Sequence, residues 1–144
     1  MARQDPLRNF RFRLEIDNVQ LAGFSQVVIG AVTTEVIEYR EGTDARHVRK
    51  LPGLTKYGAV TLKRGVSTSL ELFDWHRRIV SGDIADNRRQ VVIVVLDDSG
   101  ADVVRYVVSE AWPSKYEAGE LNARGNDVFI ETLELANEGI ERVQ

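Results

Sequence analysis

The chain has 144 residues, 43% of them hydrophobic and 28% charged, with a formal net charge of −3. That length and composition fit one domain spanning residues 1–144 and exclude disordered or collagen-like classes. The chain has no cysteine, which removes disulfides, thiol nucleophiles and thiolate metal ligands, and its slightly acidic balance argues against nonspecific DNA binding as the main task.

The opening MARQDPLRNFRFRLEID lacks the apolar core of a signal peptide. The longest strongly apolar run, Val91–Leu96, falls far short of the roughly 20 residues of a membrane span. The expectation is therefore synthesis in the cytoplasm and no membrane insertion by this chain alone. From Phe10 to Asp17 the residues alternate: Phe10, Phe12, Leu14 and Ile16 on one face, Arg11, Arg13, Glu15 and Asp17 on the other. That period of two predicts a half-buried strand. Asp17-Asn18 predicts a turn into a second strand, Val19–Val27, interrupted by Gly23. Val32–Arg40 is rich in β-branched residues and predicts a third.

Gly42–Gly53 shows no clear period, and Leu51-Pro52-Gly53 is expected to break any ladder, since proline lacks a donor. Tyr57–Arg64 returns to extended structure after that long loop. Thr68–Gly82 predicts the one helix, with Thr68 and Glu71 as a capping box and Gly82 as terminator. Its apolar stripe is Leu72, Trp75 and Ile79, the expected packing core, with Phe73, His76 and Val80 beside it. Arg89–Leu96, the turn Asp97-Asp98-Ser99-Gly100 and Ala101–Glu110 predict a hairpin whose first strand is covered on both faces. Ala111-Trp112-Pro113 is expected to end it with a bend. Tyr116–Leu121 is ambiguous, Asp127–Leu135 reads as the last strand, and Asn137–Gln144 as a fraying turn or an extended tail.

No constellation for catalysis stands out. His47 and His76 lack partners at helical or strand spacing, and Asp97-Asp98 lacks the alternating oxygen ligands of a calcium loop. The glycines at 53, 58 and 65 form no phosphate loop, and Ser67, Thr68 and Ser69 are explained by a helix entrance. The expectation is a protein without an enzymatic activity, cofactor or metal.

The unusual stretch is Glu38–Gly65. Seven Lys/Arg against three acids give it a formal +4, leaving −7 for the remainder. Its cations are interleaved with Val48, Leu51, Leu54 and Tyr57, and an apolar anchor with a charged rim is the anatomy of a protein interface. An arm at about 41–57, with Arg46, Arg49, Lys50, Leu51, Leu54, Lys56 and Tyr57 as contact residues, is the candidate site. Three readings compete: a self-assembling subunit, a solvated charged face, and a soluble module binding nucleic acid or an acidic protein through the basic loop.

The blocks DPLRNFRFRLEID, AGFSQV, TEVIEYREG, RKLPGLTKYGAVTLKRG, LFDWHRRIVSG, AWPSKYEAGELNARGNDV and IETLELANEGIERV occur in that order and cover nearly the whole chain. In them the chain resembles the inner tube protein of contractile phage tails and related bacterial contractile injection systems. The resemblance implies a mainly β subunit, sandwich-like or barrel-like, with two packed sheets and one α-helix. It implies homo-hexameric rings whose sheets join into a continuous inner barrel, stacked into a rigid tube, with the arm touching neighbouring subunits and the next ring. The first strand and Asp127–Leu135 would contribute to ring contacts or the lumen wall. Implied partners are a contractile sheath protein, baseplate and tube-terminating proteins, and a luminal cargo or tape-measure protein, without sequence-specific nucleic-acid binding. The cargo would be a protein effector or DNA, and the particle a phage tail or an injection device, inside or outside the cell. The segment QVVIG at Gln26–Gly30 departs from the more polar, glycine-rich continuation that the family pattern would place there.

Overall fold

The computed structural model describes residues 11–144 apart from 18, 22, 41, 43–45, 47, 67–69, 126 and 127. The strands follow as β1 (Phe12–Ile16), β2 (Val19–Leu21), β3 (Phe24–Val28), β4 (Val32–Tyr39), β5 (Arg49–Tyr57) and β6 (Val60–Gly65). Helix α1 (Glu71–Val80) comes next, then β7 (Arg89–Leu96), β8 (Asp102–Ala118), β9 (Ile130–Ala136) and β10 (Gly139–Arg142). In β1 the alternation holds, with Leu14 and Ile16 buried, while Phe10 lies outside the described residues. Gly23, at φ 86°, separates β2 from β3. In β7 Val91, Val92, Ile93 and Val94 are all buried, and the strand lies between β1 and β8.

The long strand β8 departs from expectation. Trp112-Pro113 does not end it; the strand runs 17 residues and changes partner midway. Asp102–Ala111 pairs with β7, and Trp112–Ala118 pairs with β9. The bend survives as a positive φ of 53° at Glu110 and a register shift between Pro113 and Lys115. A bulge is where a strand tolerates proline, so the residue that resembles a terminator becomes a corner. The fold is thus two packed sheets sharing β8: β2-β1-β7-β8, with β10 also on β8, and β8-β9-β6-β3. A strand that passes from one sheet to the other at a bulge makes such a corner. The last residues, open between turn and tail in the sequence, supply β10.

Between the sheets the core takes Leu14, Val60, Leu62, Val91, Val108, Leu133 and Leu135, with Leu72 and Trp75 from α1. The helix begins at Glu71, so Glu71 is its first residue and cannot complete the expected capping box. Thr68 lies outside the described residues, and Leu70 precedes the helix without a side-chain cap. Its other end matches expectation. The Gly82 amide donates to the Ile79 carbonyl and the Asp83 amide to the Arg78 carbonyl, with Gly82 at φ 95°. That pair of bonds is a Schellman motif, which needs a left-handed residue where glycine stands.

Segment 49–57 is the second departure. The proline-glycine break is absent: β5 runs from Arg49 through Pro52-Gly53 to Tyr57 and pairs antiparallel with β4. Thr34 faces Thr55 but Val36 faces Pro52, so β5 carries one extra residue there. In a two-stranded ribbon each strand has an open side, and a bulge relaxes the ladder further, so a missing amide costs little.

Candidate assembly surfaces

Strands β4 and β5 form their own two-stranded sheet, unpaired with the two layers of the other eight strands among the described residues. Every residue of β4 is exposed, as is every residue of β5 except Gly53. Register places Val32 opposite Tyr57, Ile37 opposite Leu51, and Glu38 opposite Lys50. Val32, Val36, Pro52 and Tyr57 therefore share one face, and Ile37 and Leu51 the other. Leu54, at the bulge, is 71% exposed. An isolated hairpin is at best marginally stable in water, so a ribbon apolar on both faces is suited to burial against protein.

The structure brings Arg49, Lys50, Leu51, Leu54, Lys56 and Tyr57 onto this ribbon. Arg46 is an exposed bend residue between the strands. His47 lies outside the described residues, and His76 is half-buried on α1. Among the described residues no group of three metal-ligating side chains occurs. The sequence reading missed β4 as the ribbon's other half, although apolar Val36 and Ile37 on adjacent positions, hence opposite faces, carry that signal.

The ribbon joins the body through a close crossing. The Gly58 amide donates to the Ala31 carbonyl at 2.7 Å, and Asn137 Nδ2 donates to the Gly58 carbonyl at 3.0 Å. A Cβ on Gly30 would stand 2.4 Å from the Gly58 carbonyl carbon, closer than backbone atoms can yield. The QVVIG departure therefore ends in a glycine that the crossing requires.

Behind the surface, a polar cluster ties the second layer to the helix. Arg64, 5% exposed, donates from Nε to Glu131 Oε1 at 2.7 Å, and Tyr116 donates its hydroxyl to Glu131 Oε2 at 2.7 Å. Arg64 Nη1 is 3.7 Å from Glu71 at the start of α1. Burial, then the bond to the Glu131 carboxylate, pushes the Tyr116 hydroxyl up to about 12. Phe73 packs edge-on to the Tyr116 ring at 5.3 Å. On the helix Leu72 and Trp75 are buried and Ile79 is half-buried.

The outward face of β8-β9-β6-β3 is polar. Register aligns Gln26, Lys63, Thr132 and Glu117 in one row and Val28, Thr61, Glu134 and Lys115 in the next. Its two lysines and two glutamates cancel, and Lys115 lies 3.6 Å from Glu117. On the other layer Asp102 receives a two-pronged bond from Arg13 at 3.0 and 2.8 Å, which holds its carboxyl below the usual range.

The class this fold defines is a β-sandwich subunit with an exposed ribbon and no assembled catalytic centre among the described residues. The family model described as T4-like virus tail tube protein gp19 matches residues 8–141, and the chain belongs to that family. Membership makes it a structural component of a contractile-injection-type tail rather than an enzyme. Solved structures agree in fold. A chain of the anti-feeding prophage baseplate, 6-fold symmetrised, superposes with a TM-score of 0.81 at 26% identity, covering 98% of this chain and 97% of that one. A chain of the extracellular contractile injection system PVC sheath-tube complex in the extended state gives 0.82 at 25%, covering 95% and 90%. A chain of the anti-feeding prophage tube-terminating cap gives 0.84 at 22%, covering 99% and 93%. No curated protein sequence matches the chain.

Proposed function

We propose that this chain is the repeating subunit of a rigid inner tube, assembling as hexameric rings that stack into a conduit for a protein or nucleic-acid cargo. The observation that carries this is the ribbon, which presents Val36, Ile37, Leu51 and Leu54 to solvent with cations around them. A neighbouring copy is the natural cover, because a tube subunit meets copies of itself around its ring and above and below it. The arm runs as β4 and β5 together, and its contacts are within a ring and with the next one. A contractile sheath surrounds the tube, and baseplate and terminating proteins bound its ends. The sheath-tube complex of the 25% identical relative and the 6-fold baseplate of the 26% identical one support this reading.

The test is negative-stain electron microscopy of the purified chain and of two variants, Leu54→Ser and Arg49→Glu with Lys50→Glu, across concentration and salt. Wild type is expected as six-membered rings or stacks, with a supplied baseplate as nucleus where rings alone do not extend. Both variants are expected to keep the monomer's melting temperature and lose stacking. Wild-type-like tubes from both would remove the ribbon from the interface. Wild-type chains that stay monomeric even on a baseplate would overturn the tube reading.

A further inference from the structure

The ribbon and the second layer are drawn from the same two stretches of chain, since β3 leads into β4 and β5 into β6. Between them the ladder breaks. The layer's last pair is Val28 with Thr61, the ribbon's first is Val32 with Tyr57, and three residues on each side lie between. Ile29 and Val60 still pack into the core, so the body ends with them. Beyond that point Gly30 and Gly58 meet backbone to backbone. Among the described residues one main-chain hydrogen bond crosses here, from the Gly58 amide to the Ala31 carbonyl.

We propose that this neck is a hinge and that Asn137 is its latch, holding in one direction a ribbon that otherwise turns as a unit. The ribbon has the coherence to turn whole. Its own register runs from Val32–Tyr57 to Tyr39–Arg49, and the hydroxyls of Thr34 and Thr55 meet across it at 3.1 Å. Both strands are exposed along nearly their whole length, so packing on the body does not fix their direction. At the neck itself no side chain on Gly30 or Gly58 interlocks with the opposite strand. Glycine torsions are permissive, and hinges gather a large change into a few residues at the ends of elements.

Asn137 belongs to the body. It lies between β9 and β10, where Ala136 pairs with Trp112, Gly139 pairs with Ser109, and the Glu138 amide donates to the Ser109 carbonyl. From that fixed place its Nδ2 donates to the Gly58 carbonyl at 3.0 Å. Its Oδ1 is buried and meets no protein donor among the described residues. An asparagine amide has two N–H donors and an oxygen with two lone pairs, and this one spends a single donor on the ribbon. A buried acceptor that the protein leaves unmet offsets much of what one neutral hydrogen bond returns. The latch is therefore close to balance, set firmly enough to favour one direction and weakly enough to let go. Removing it leaves the Gly58 carbonyl without its donor, and a turn of the ribbon takes that carbonyl to water. The hinge is a property of a single chain and stands whether or not copies assemble.

Because the chain has no cysteine, Glu38→Cys on β4 and Arg78→Cys on α1 take two spin labels and no other residue takes one. Both positions are exposed. Glu38 stands about 20 Å along β4 from Val32, so a turn of about 30° at the neck carries it about 10 Å. Double electron–electron resonance reads such a change on dilute, labelled, full-length chain mixed with an excess of unlabelled wild type, so that only distances within one chain count. The measurement is made with Asn137 present, with Asn137→Leu and with Asn137→Asp. Leucine fills the space without a donor, and aspartate keeps the shape but turns an oxygen toward the Gly58 carbonyl. With Asn137 present one dominant distance is expected. Both variants are expected to spread or shift it by about 10 Å while melting within about 5 °C of wild type. Variants that keep the original distance would show that the crossing fixes the ribbon unaided, and would overturn the latch. A distribution already as broad with Asn137 present would overturn it too. Melting temperatures lowered by more than about 5 °C in both variants would make Asn137 part of the body's frame and reject the latch.

Discussion

Trp75 is the sharpest test of how α1 is held. It is 1% exposed, its Nε1 donates to the Asn87 carbonyl at 2.8 Å, and the Arg89 guanidinium lies 5.0 Å from its ring centroid. Truncating a buried aromatic costs about 3–5 kcal/mol through lost burial and a residual cavity. Asn87 is itself buried, and stranding its carbonyl adds about 1–3 kcal/mol, partly overlapping the first cost. Trp75→Ala is therefore expected to lose about 4–6 kcal/mol, a fall of about 10–20 °C in melting temperature for a chain of this size. Trp75→Phe keeps most of the apolar volume but loses the N–H and a small part of the ring, so it should lose about 1–3 kcal/mol. Urea titration of the monomer followed by circular dichroism measures both. A loss under about 1.5 kcal/mol for Trp75→Ala would refute the placement of this ring at the helix–sheet junction. Equal losses for the two variants would refute the division between volume and hydrogen bond.

Gly30→Ala should force the Gly30–Gly58 crossing apart and abolish tube formation while leaving a folded monomer, as read by electron microscopy beside thermal melts; normal tubes would show that the crossing yields. Glu131→Gln strips the buried Arg64 of the nearer and buried one of its two carboxylates and is expected to cost about 3–5 kcal/mol in urea titration; a change within about 0.5 kcal/mol, the usual scatter of surface substitutions, would show the pair to be indifferent. The raised Tyr116 hydroxyl has a signed consequence in alkali. Its folded value lies above the ordinary 10, so its contribution to stability is fully present below pH 10 and is lost as pH rises toward about 12. Tyr116→Phe should flatten that part of the pH–stability curve; a variant that falls as steeply as wild type between pH 10 and 12 would refute the assignment.

Local patterns carried the regular elements. The alternation through Leu14 and Ile16, the doubly apolar Val91–Leu96 and the stripe of Leu72 and Trp75 each depend on neighbours a few residues away, and periodicity reports those. Pro52 and Pro113 were misleading because proline's penalty depends on whether its strand has a partner on that side and an unbroken register. Both facts are tertiary, and both sites turned out to be bulges. The charge and apolar content of segment 49–57 marked it as a candidate interface, and the ribbon leaves those side chains exposed. Its other half, β4, was not marked by charge, and the unpaired edges of β3 and β8 could not be read because strand order is set by contacts far apart in sequence. The Arg64–Glu131–Tyr116 cluster escaped for the same reason, as Tyr116 and Glu131 lie 52 and 67 residues from Arg64 along the chain.

The alternating signs on the outward face of β8-β9-β6-β3 bear on whatever lies against it. Lys63 and Glu117 sit in one row and Glu134 and Lys115 in the next, with strands about 4.8 Å apart within a row and the rows about 7 Å apart. Fields from such closely interleaved opposite charges cancel over a distance comparable with their spacing. A polymer moving along a face of this kind would find no deep well of either sign to dwell in. Its progress would then resemble sliding over a shallow, finely corrugated landscape, where drag stays low whether the traveller is acidic or basic.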